Sequence, residues 1–219
     1  MIAAAIPDWP HIQAWADQHG LAIVGVDEAG RGPLFGPVVA GACLLSTPNV
    51  IDGLACSKTL SEKARARLFE HIKNHSRAWA SASATVEEID QLNILQASLL
   101  AMRRAVDAVV TQAGLSTDQC LILVDGNKLP VWPYLAKPIV KGDALVPAIS
   151  AGSIIAKESR DHWCREQAKV WPQYELEAHM GYPTPRHLAL LKQHGASPMH
   201  RRSFRPVREV LALHQSENV

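Results

Sequence analysis

Cys120 to Val124 is an unbroken apolar run, Cys-Leu-Ile-Leu-Val, and it leads straight into Asp125. A strand with one wet face alternates apolar and polar residues. A strand without alternation must be covered on both faces. Such a strand requires a sheet with helices packed above and below it. Leu21-Ala-Ile-Val-Gly-Val26 is a second apolar run, and it too ends in acid, at Asp27-Glu28.

The rest of the chain supplies the helices. A helical piece is expected around His11 to His19. A second strand, Pro37 to Leu45, follows the first through a Gly/Pro-rich loop. Ser61 to Ile72 reads as a helix with Ser61 as N-cap. Arg77 to Val86 alternates by twos and reads as a half-buried strand. From Glu87 to Ala113, Leu92, Leu95, Leu99, Met102, Val106 and Val109 recur at helical spacing, which predicts one helix stopped by Gly114. Pro138 to Asp143 is expected as a short strand that again ends in acid. Helices over Pro147–Lys169, Thr184–His194 and Pro206–Leu213 complete the pattern. Strands that begin as a meander and then alternate with helices make an α/β fold, a mixed sheet flanked by helices with a helical C-terminal part.

At 219 residues, 47% hydrophobic and 20% charged, the chain suits one globular domain. Residues 1–19 read as an N-terminal extension, 20–180 as the core, and 181–219 as a helical C-terminal part of the same domain. The net charge of +1 points to no partner, but its distribution is uneven. After Gly181 stand Arg186, Lys192, Arg201, Arg202, Arg205 and Arg208 against Glu209 and Glu217. That segment is either an anion-binding surface or a solvated helix face. Cys43, Cys56, Cys120 and Cys164 form no C-x-x-C pair and read as free thiols of a reducing compartment. No apolar stretch is long enough for a membrane span, and the N-terminus lacks the pattern of a signal peptide. A cytoplasmic protein is expected.

Three expected strands thus end in acid: Asp27-Glu28, Asp125 and Asp143. Ligands of α/β sheets gather at strand ends, and hard cations such as Mg²⁺ and Mn²⁺ prefer oxygen ligands. Two metals roughly 3.5–4 Å apart suit in-line phosphoryl displacement. Each acid taken singly also fits a cap or turn role. Asp27 and Glu28 can share a site only if the strand ends or bends there, because neighbouring strand residues face opposite ways. The following Gly30-Arg-Gly-Pro-Leu-Phe-Gly-Pro37 lacks the Gly-Lys-Ser/Thr of a P-loop, and its prolines forbid the helix of a Rossmann turn. Its glycines let a ligand approach the backbone.

Taken whole, Gly25 to Val39 closely resembles the opening signature of type 2 ribonucleases H, the ribonuclease HII family. The likeness continues in order through Ser57-Lys58 with Leu60-Ser-Glu-Lys63, Glu88 to Leu95, Val124-Asp-Gly-Asn127, Val140-Lys-Gly-Asp143, Ser153 to Lys157, Gly181-Tyr-Pro-Thr184 and His200-Arg-Arg-Ser-Phe204. It implies a ribonuclease H-like fold and an endonuclease acting on RNA–DNA hybrid duplexes and on DNA containing single ribonucleotides. By position, Asp27, Glu28, Asp125 and Asp143 match the family's metal-binding carboxylates, with Mn²⁺ or Mg²⁺ in a two-metal site. Gly30, Arg31 and Gly32 match the loop that senses the 2′-hydroxyl. Tyr182 matches the tyrosine that packs on the following deoxyribose, and Lys58 a position near the substrate strands. The resemblance further implies two-metal hydrolysis to 5′-phosphate and 3′-hydroxyl ends by a monomer. Reading the 2′-hydroxyl is the physical way to tell RNA from DNA at one nucleotide.

The sequence departs from the family pattern at Cys56-Ser-Lys-Thr59, where Asp-Ser-Lys-Lys is usual. Met180 replaces a usual Lys, and Gly152 replaces a usual Ala. His71 and His75, four apart, read as an exposed helix face rather than a chelate. His179 and His200 read as surface or capping residues, or as phosphate contacts. Two other functions compete. Ribonuclease HIII needs a long N-terminal domain that nineteen residues cannot supply. A hybrid-binding protein without catalysis would not need all four acids.

Overall fold

The computed structural model describes residues 9–46, 51, 53–54 and 60–216, with side chains to residue 213. Lys58, Cys56 and Thr59 lie outside the described residues, so the expectation for Lys58 has no structural counterpart here.

Among the described residues the sheet has five strands in the order β3-β2-β1-β4-β5. These are β1 (Ala22–Ala29), β2 (Val38–Leu45), β3 (Ser76–Ala84), β4 (Cys120–Asp125) and β5 (Leu135–Ile139). The first three form the antiparallel meander, and β4 and β5 join β1 in parallel. Cys120 to Val124 is buried throughout, as an unalternating run requires.

Helix α4 (Ile94–Ala113) covers one face, packing Met102, Val106 and Val109 on Val24, Val26, Ile122 and Val124. Helix α6 (Pro147–Val170) covers the other, against Leu121, Leu123 and Ile23 at its start and Cys43 further along. Its approach is close. A Cβ on Gly152 would stand 2.7 Å from the Gly41 carbonyl oxygen, and one on Gly25 would meet the Ala148 backbone at 2.1 Å. Packing therefore explains the glycine that replaces the usual Ala at 152, and offsets its helix-propensity cost of about 1 kcal/mol. Helix α1 (Trp9–Gln18) packs Ile12 and Ala16 into the same cluster as Ile23 and Leu121. Helix α2 (Glu62–His75) is capped by Ser61, whose Oγ accepts from the Ala64 N–H at 3.2 Å. His71 and His75 stack on its exposed face.

Two expectations need correction. The stretch expected as one helix from Glu87 to Ala113 is two, α3 (Val86–Leu92) and α4, broken at Asn93. Asn93 has φ 72°, and its side-chain oxygen accepts from the N–H groups of Leu95 and Gln96. Asparagine tolerates this left-handed φ and caps the next helix, so the apolar period runs through a break. Leu92, counted on the apolar stripe, is 42% exposed. The second correction concerns Asp143. The strand expected over Pro138–Asp143 ends earlier, at Ile139. Lys141 turns the chain with φ 57°, and Asp143 lies in the first turn of α5 (Gly142–Leu145).

The chain finishes with α7 (Leu176–His179), α8 (Pro185–His194) and α9 (Arg205–Ser216). Leu34 packs with Leu191, Val207 and Val210, which fastens α8 and α9 to the loop between β1 and β2. None of the described helices is long and apolar enough to cross a membrane.

Candidate functional site

The parallel ladder between β1 and β4 ends at the pair Val26–Val124, while β1 stays paired with β2 as far as Ala29. Beyond that last pair come Asp27 and Asp125, side by side on neighbouring strands that point the same way. Val24 and Val26 pack toward α4, so alternation turns Asp27 toward α6, where Ser153 hydrogen-bonds its carboxylate. Leu121 and Leu123 face α6 as well, and Asp125 continues their side. Of the two conditions for a shared site, a strand that ends or one that bends, the first is not met, since β1 runs on to Ala29; its pairing with β4 is what stops before Asp27. Glu28 takes the opposite face but is close enough to repel Asp27, and Asp125 acts on both.

Burial raises the Asp27 carboxyl well above the usual range, with repulsion from Glu28 and then Asp125 adding to it. Its stabilising contacts are hydrogen bonds from Ser153 and from the Glu28 N–H at 2.7 Å. Burial raises Glu28 too, opposed by Arg31, whose Nη1 donates to its Oε1 at 3.2 Å. The Asp143 N–H donates to Asp125 Oδ1 at 3.3 Å, and the Ser150 hydroxyl donates to the Asp143 carbonyl. Asp27 and Asp125 thus stand together on one face, with the Asp143 backbone against Asp125 and Glu28 at the edge. The chemistry of this donor set, carboxylate oxygens in mutual repulsion, fits a hard divalent cation. Among the described residues, no three His, Cys, Asp or Glu side chains already stand grouped as a cation would hold them.

The Gly30–Pro37 loop lies beside this cluster and is held from behind. Arg201, fully buried, donates to the carbonyls of Gly30 (2.7 Å), Arg31 (3.1 Å), Gly36 (2.8 Å) and Pro37 (3.0 Å). Burial and then the neighbouring Arg160 pull its pKa down to about 9, which leaves it charged at neutral pH. Arg160 donates to the carbonyls of Phe35 and Met180. These carbonyls are held inward, the Leu34 and Gly36 N–H groups donate to the Gly181 and Met199 carbonyls, and Arg31 and Gly32 remain exposed. The two glycines differ. Gly30 is buried with φ 95°, and a Cβ there would meet Arg160 Nε at 2.1 Å, so its missing side chain makes room for a buried arginine. Gly32 is exposed, and a Cβ there would stand 3.4 Å from the Tyr182 ring. Tyr182, 41% exposed, thus lies over Gly32, with Arg160 5.9 Å from its ring centre.

Several residues expected at the surface are buried. Arg201 is one, and the basic C-terminal segment is further thinned by ion pairs of Arg186 with Glu175 and Arg205 with Glu209. His179 and His200 are buried rather than at the surface, and each ring accepts from a nearby backbone N–H, of Gly181 and Ser197, in keeping with the capping role. Together with His187 they form a cluster behind Tyr182. Charge alone gave no signal of this. The motif His200-Arg-Arg-Ser-Phe204 contained it, because buried and exposed arginines sit side by side there. Cys43, Cys120 and Cys164 are buried free thiols, and burial pushes Cys43 up to about 12.

Comparison with known proteins agrees with the architecture. The sequence profile of the family Ribonuclease HII matches residues 24–207. Ribonuclease HII of Albidiferax ferrireducens is 56% identical over 189 residues, covering 86% of this chain and 88% of that protein. The crystal structure of ribonuclease H2 from Pyrococcus horikoshii OT3 superposes with a TM-score of 0.68 at 28% identity, covering 89% of this chain and 99% of that one. Bst-RNase HIII, solved in complex with Mn²⁺, shares the fold alone, with a TM-score of 0.72 at 16% identity over 92% of this chain and 73% of that one. The chain belongs to the ribonuclease HII family, metal-dependent nucleases of the ribonuclease H type that act on RNA–DNA substrates.

Proposed function

We propose that this protein cuts the RNA strand of RNA–DNA hybrids and nicks DNA on the 5′ side of embedded ribonucleotides. Asp27, Glu28, Asp125 and Asp143 would hold Mn²⁺ or Mg²⁺. A pair of such ions supplies Lewis acidity and a template for in-line displacement at phosphorus, leaving 5′-phosphate and 3′-hydroxyl ends. The observation that carries this reading is the placement of Asp27 and Asp125 side by side on one face, just beyond the last pair of two parallel strands, next to a loop whose Gly32 faces Tyr182.

The chain's own residues divide the work. Ser153 and the Glu28 N–H fix the Asp27 carboxylate, and the Asp143 N–H fixes that of Asp125. Arg31 balances Glu28 and stands exposed enough to exchange that contact for a phosphate. The backbone at Gly30, Arg31 and Gly32 would read the 2′-hydroxyl, with the closest approach at exposed Gly32, where a side chain would crowd the ligand. Tyr182 packs against the next sugar, and an added hydroxyl there would crowd the ring. This arrangement favours a ribose followed by a deoxyribose over a continuous run of riboses.

The test is a DNA duplex bearing one ribonucleotide, incubated with Mg²⁺ or Mn²⁺. A single nick 5′ of the ribonucleotide is expected. Asp125→Asn should fold and bind the duplex but lose cleavage by about 10³-fold. Binding without any nick by the native chain would favour a hybrid-binding protein. Near-normal turnover by Asp125→Asn would remove that residue from the site.

A further inference from the structure

Tyr182 stands on a backbone anchored from within. Its N–H donates to the His179 carbonyl at 2.9 Å, and its own carbonyl accepts from the Thr184 N–H at 2.8 Å. That carbonyl also contacts His187 Nδ1 at 3.0 Å, and His187 Nε2 lies 3.3 Å from His200 Nε2. His200 Nδ1 in turn faces two donors on Ser197, the N–H at 3.0 Å and the hydroxyl at 2.9 Å.

These contacts allow one arrangement of protons. His200 Nδ1 must accept from Ser197, so the His200 proton sits on Nε2. That proton is donated to His187 Nε2, which leaves the His187 proton on Nδ1, and Nδ1–H donates to the Tyr182 carbonyl. Both rings are fully buried, and burial lowers His187 to about 4 and His200 to about 3, so both are neutral at physiological pH. The backbone of His200 makes a second connection. It bridges antiparallel to Phe35, inside the Gly30–Pro37 loop, and its ring meets the Phe35 ring edge-on at 5.0 Å. The flanking bonds Gly36 N–H to Met199 carbonyl and Arg201 N–H to Leu34 carbonyl, each 2.8 Å, extend that attachment.

We infer that His200 and His187 are specificity-determining positioning residues: a directed hydrogen-bond chain from Ser197 through both imidazoles to the Tyr182 carbonyl sets the gap between the tyrosine and the Gly30–Gly32 loop. The inference rests on the reading of that gap as the place where ribose is followed by deoxyribose. Neither histidine touches substrate. Each acts through Tyr182, and the carboxylate cluster lies outside the chain. Loss of the chain therefore weakens discrimination at the sugar step more than it weakens hydrolysis itself.

The experiment measures a ratio on each protein preparation. Cleavage at an RNA-to-DNA junction is divided by cleavage within a continuous RNA strand, both paired to DNA, under kcat/KM conditions with Mg²⁺. Taken from one preparation, the ratio is independent of the folded fraction. The wild type should favour the junction, and Tyr182→Ala should lower the ratio about tenfold or more. His187→Leu should lower it by a similar factor. His187→Asn, whose amide N–H can stand where Nδ1–H stood, should restore most of it. His200→Phe keeps the ring packing while deleting both nitrogens, and should lower the ratio severalfold. It serves as the second variant if His187→Leu does not fold. A wild type without junction preference, or a Tyr182→Ala variant with an unchanged ratio, would overturn the reading of the sugar step. A normal ratio in His187→Leu or His200→Phe beside an altered one in Tyr182→Ala would overturn the inference alone. Equal slowing on both substrates would assign the histidines a purely structural role.

Discussion

Two buried polar clusters lie on either side of the Gly30–Pro37 loop, and they treat charge in opposite ways. At the strand ends, Asp27, Glu28 and Asp125 repel one another, and burial raises the Asp27 and Glu28 carboxyls together. Behind the loop, Arg201 is equally buried but meets the carbonyls of Gly30, Arg31, Gly36 and Pro37, and the neighbouring histidines shed their charge. The first cluster has the chemistry that suits a cation from outside; in the second, Arg201 is satisfied within the chain, although the buried Arg160 Nε has no hydrogen-bond partner among the described residues. Polar groups that build a structure are paired by it, whereas those that await a ligand are left in tension.

The contrast can be broken by mutation, most severely behind the loop. Arg201→Leu would leave buried carbonyls without donors at about 1–3 kcal/mol each, so a loss of about 4 kcal/mol or more is expected in denaturant unfolding. Arg201→Lys, with no planar fork, should fall between the two. A loss below about 1 kcal/mol for the leucine variant would mean that the carbonyls find other partners.

The histidines give the next largest effect, through pH. Their folded pKa values are depressed from 6.5 to about 4 for His187 and about 3 for His200, by burial in each case. Their contribution is complete above the unfolded value. As pH falls below it, the unfolded chain takes up protons that the folded chain refuses, and the contribution is lost. Unfolding free energy should drop on the order of 2–5 kcal/mol between about pH 7 and pH 4.5. His200→Phe should flatten that slope. An unchanged slope in the variant would show that His200 is already protonated in the folded chain.

The smallest effect is expected at the strand ends and has the opposite sign. Asp27→Asn removes a repelled carboxylate and keeps its shape. Without divalent cations it should stabilise the protein by about 1 kcal/mol at neutral pH or above. A destabilised variant would mean that the Asp27 charge is already balanced within the chain.

Much of this arrangement was legible in the sequence, because it depends on local patterns. The unalternating Cys120–Val124 run fixed a doubly covered strand, Ser61 announced its cap, and acids at the ends of apolar runs pointed to the carboxylate cluster. What was hidden depends on single residues or distant partners. Asn93 breaks a helix without breaking its apolar period. Asp143 meets Asp125 from a helical turn after Lys141 turns the chain, and the apolar run before it carries no sign of that change of element. Arg201 looks like any surface arginine until the fold brings four carbonyls from residues 30–37 around it. The glycine at 152 looked unfavourable until the Gly41 carbonyl stood against it.

Thermal unfolding during a Mn²⁺ titration, with Ca²⁺-free chelated protein as the starting point, tests the central claim most directly. The wild type should gain stability with each increment of Mn²⁺, by about 2.7 kcal/mol at one hundred times the dissociation constant and logarithmically thereafter. Asp27→Asn and Asp125→Asn should begin at or above the wild-type midpoint and gain little. An equal Mn²⁺ response in wild type and both variants would contradict the account, since the cation would then be held elsewhere.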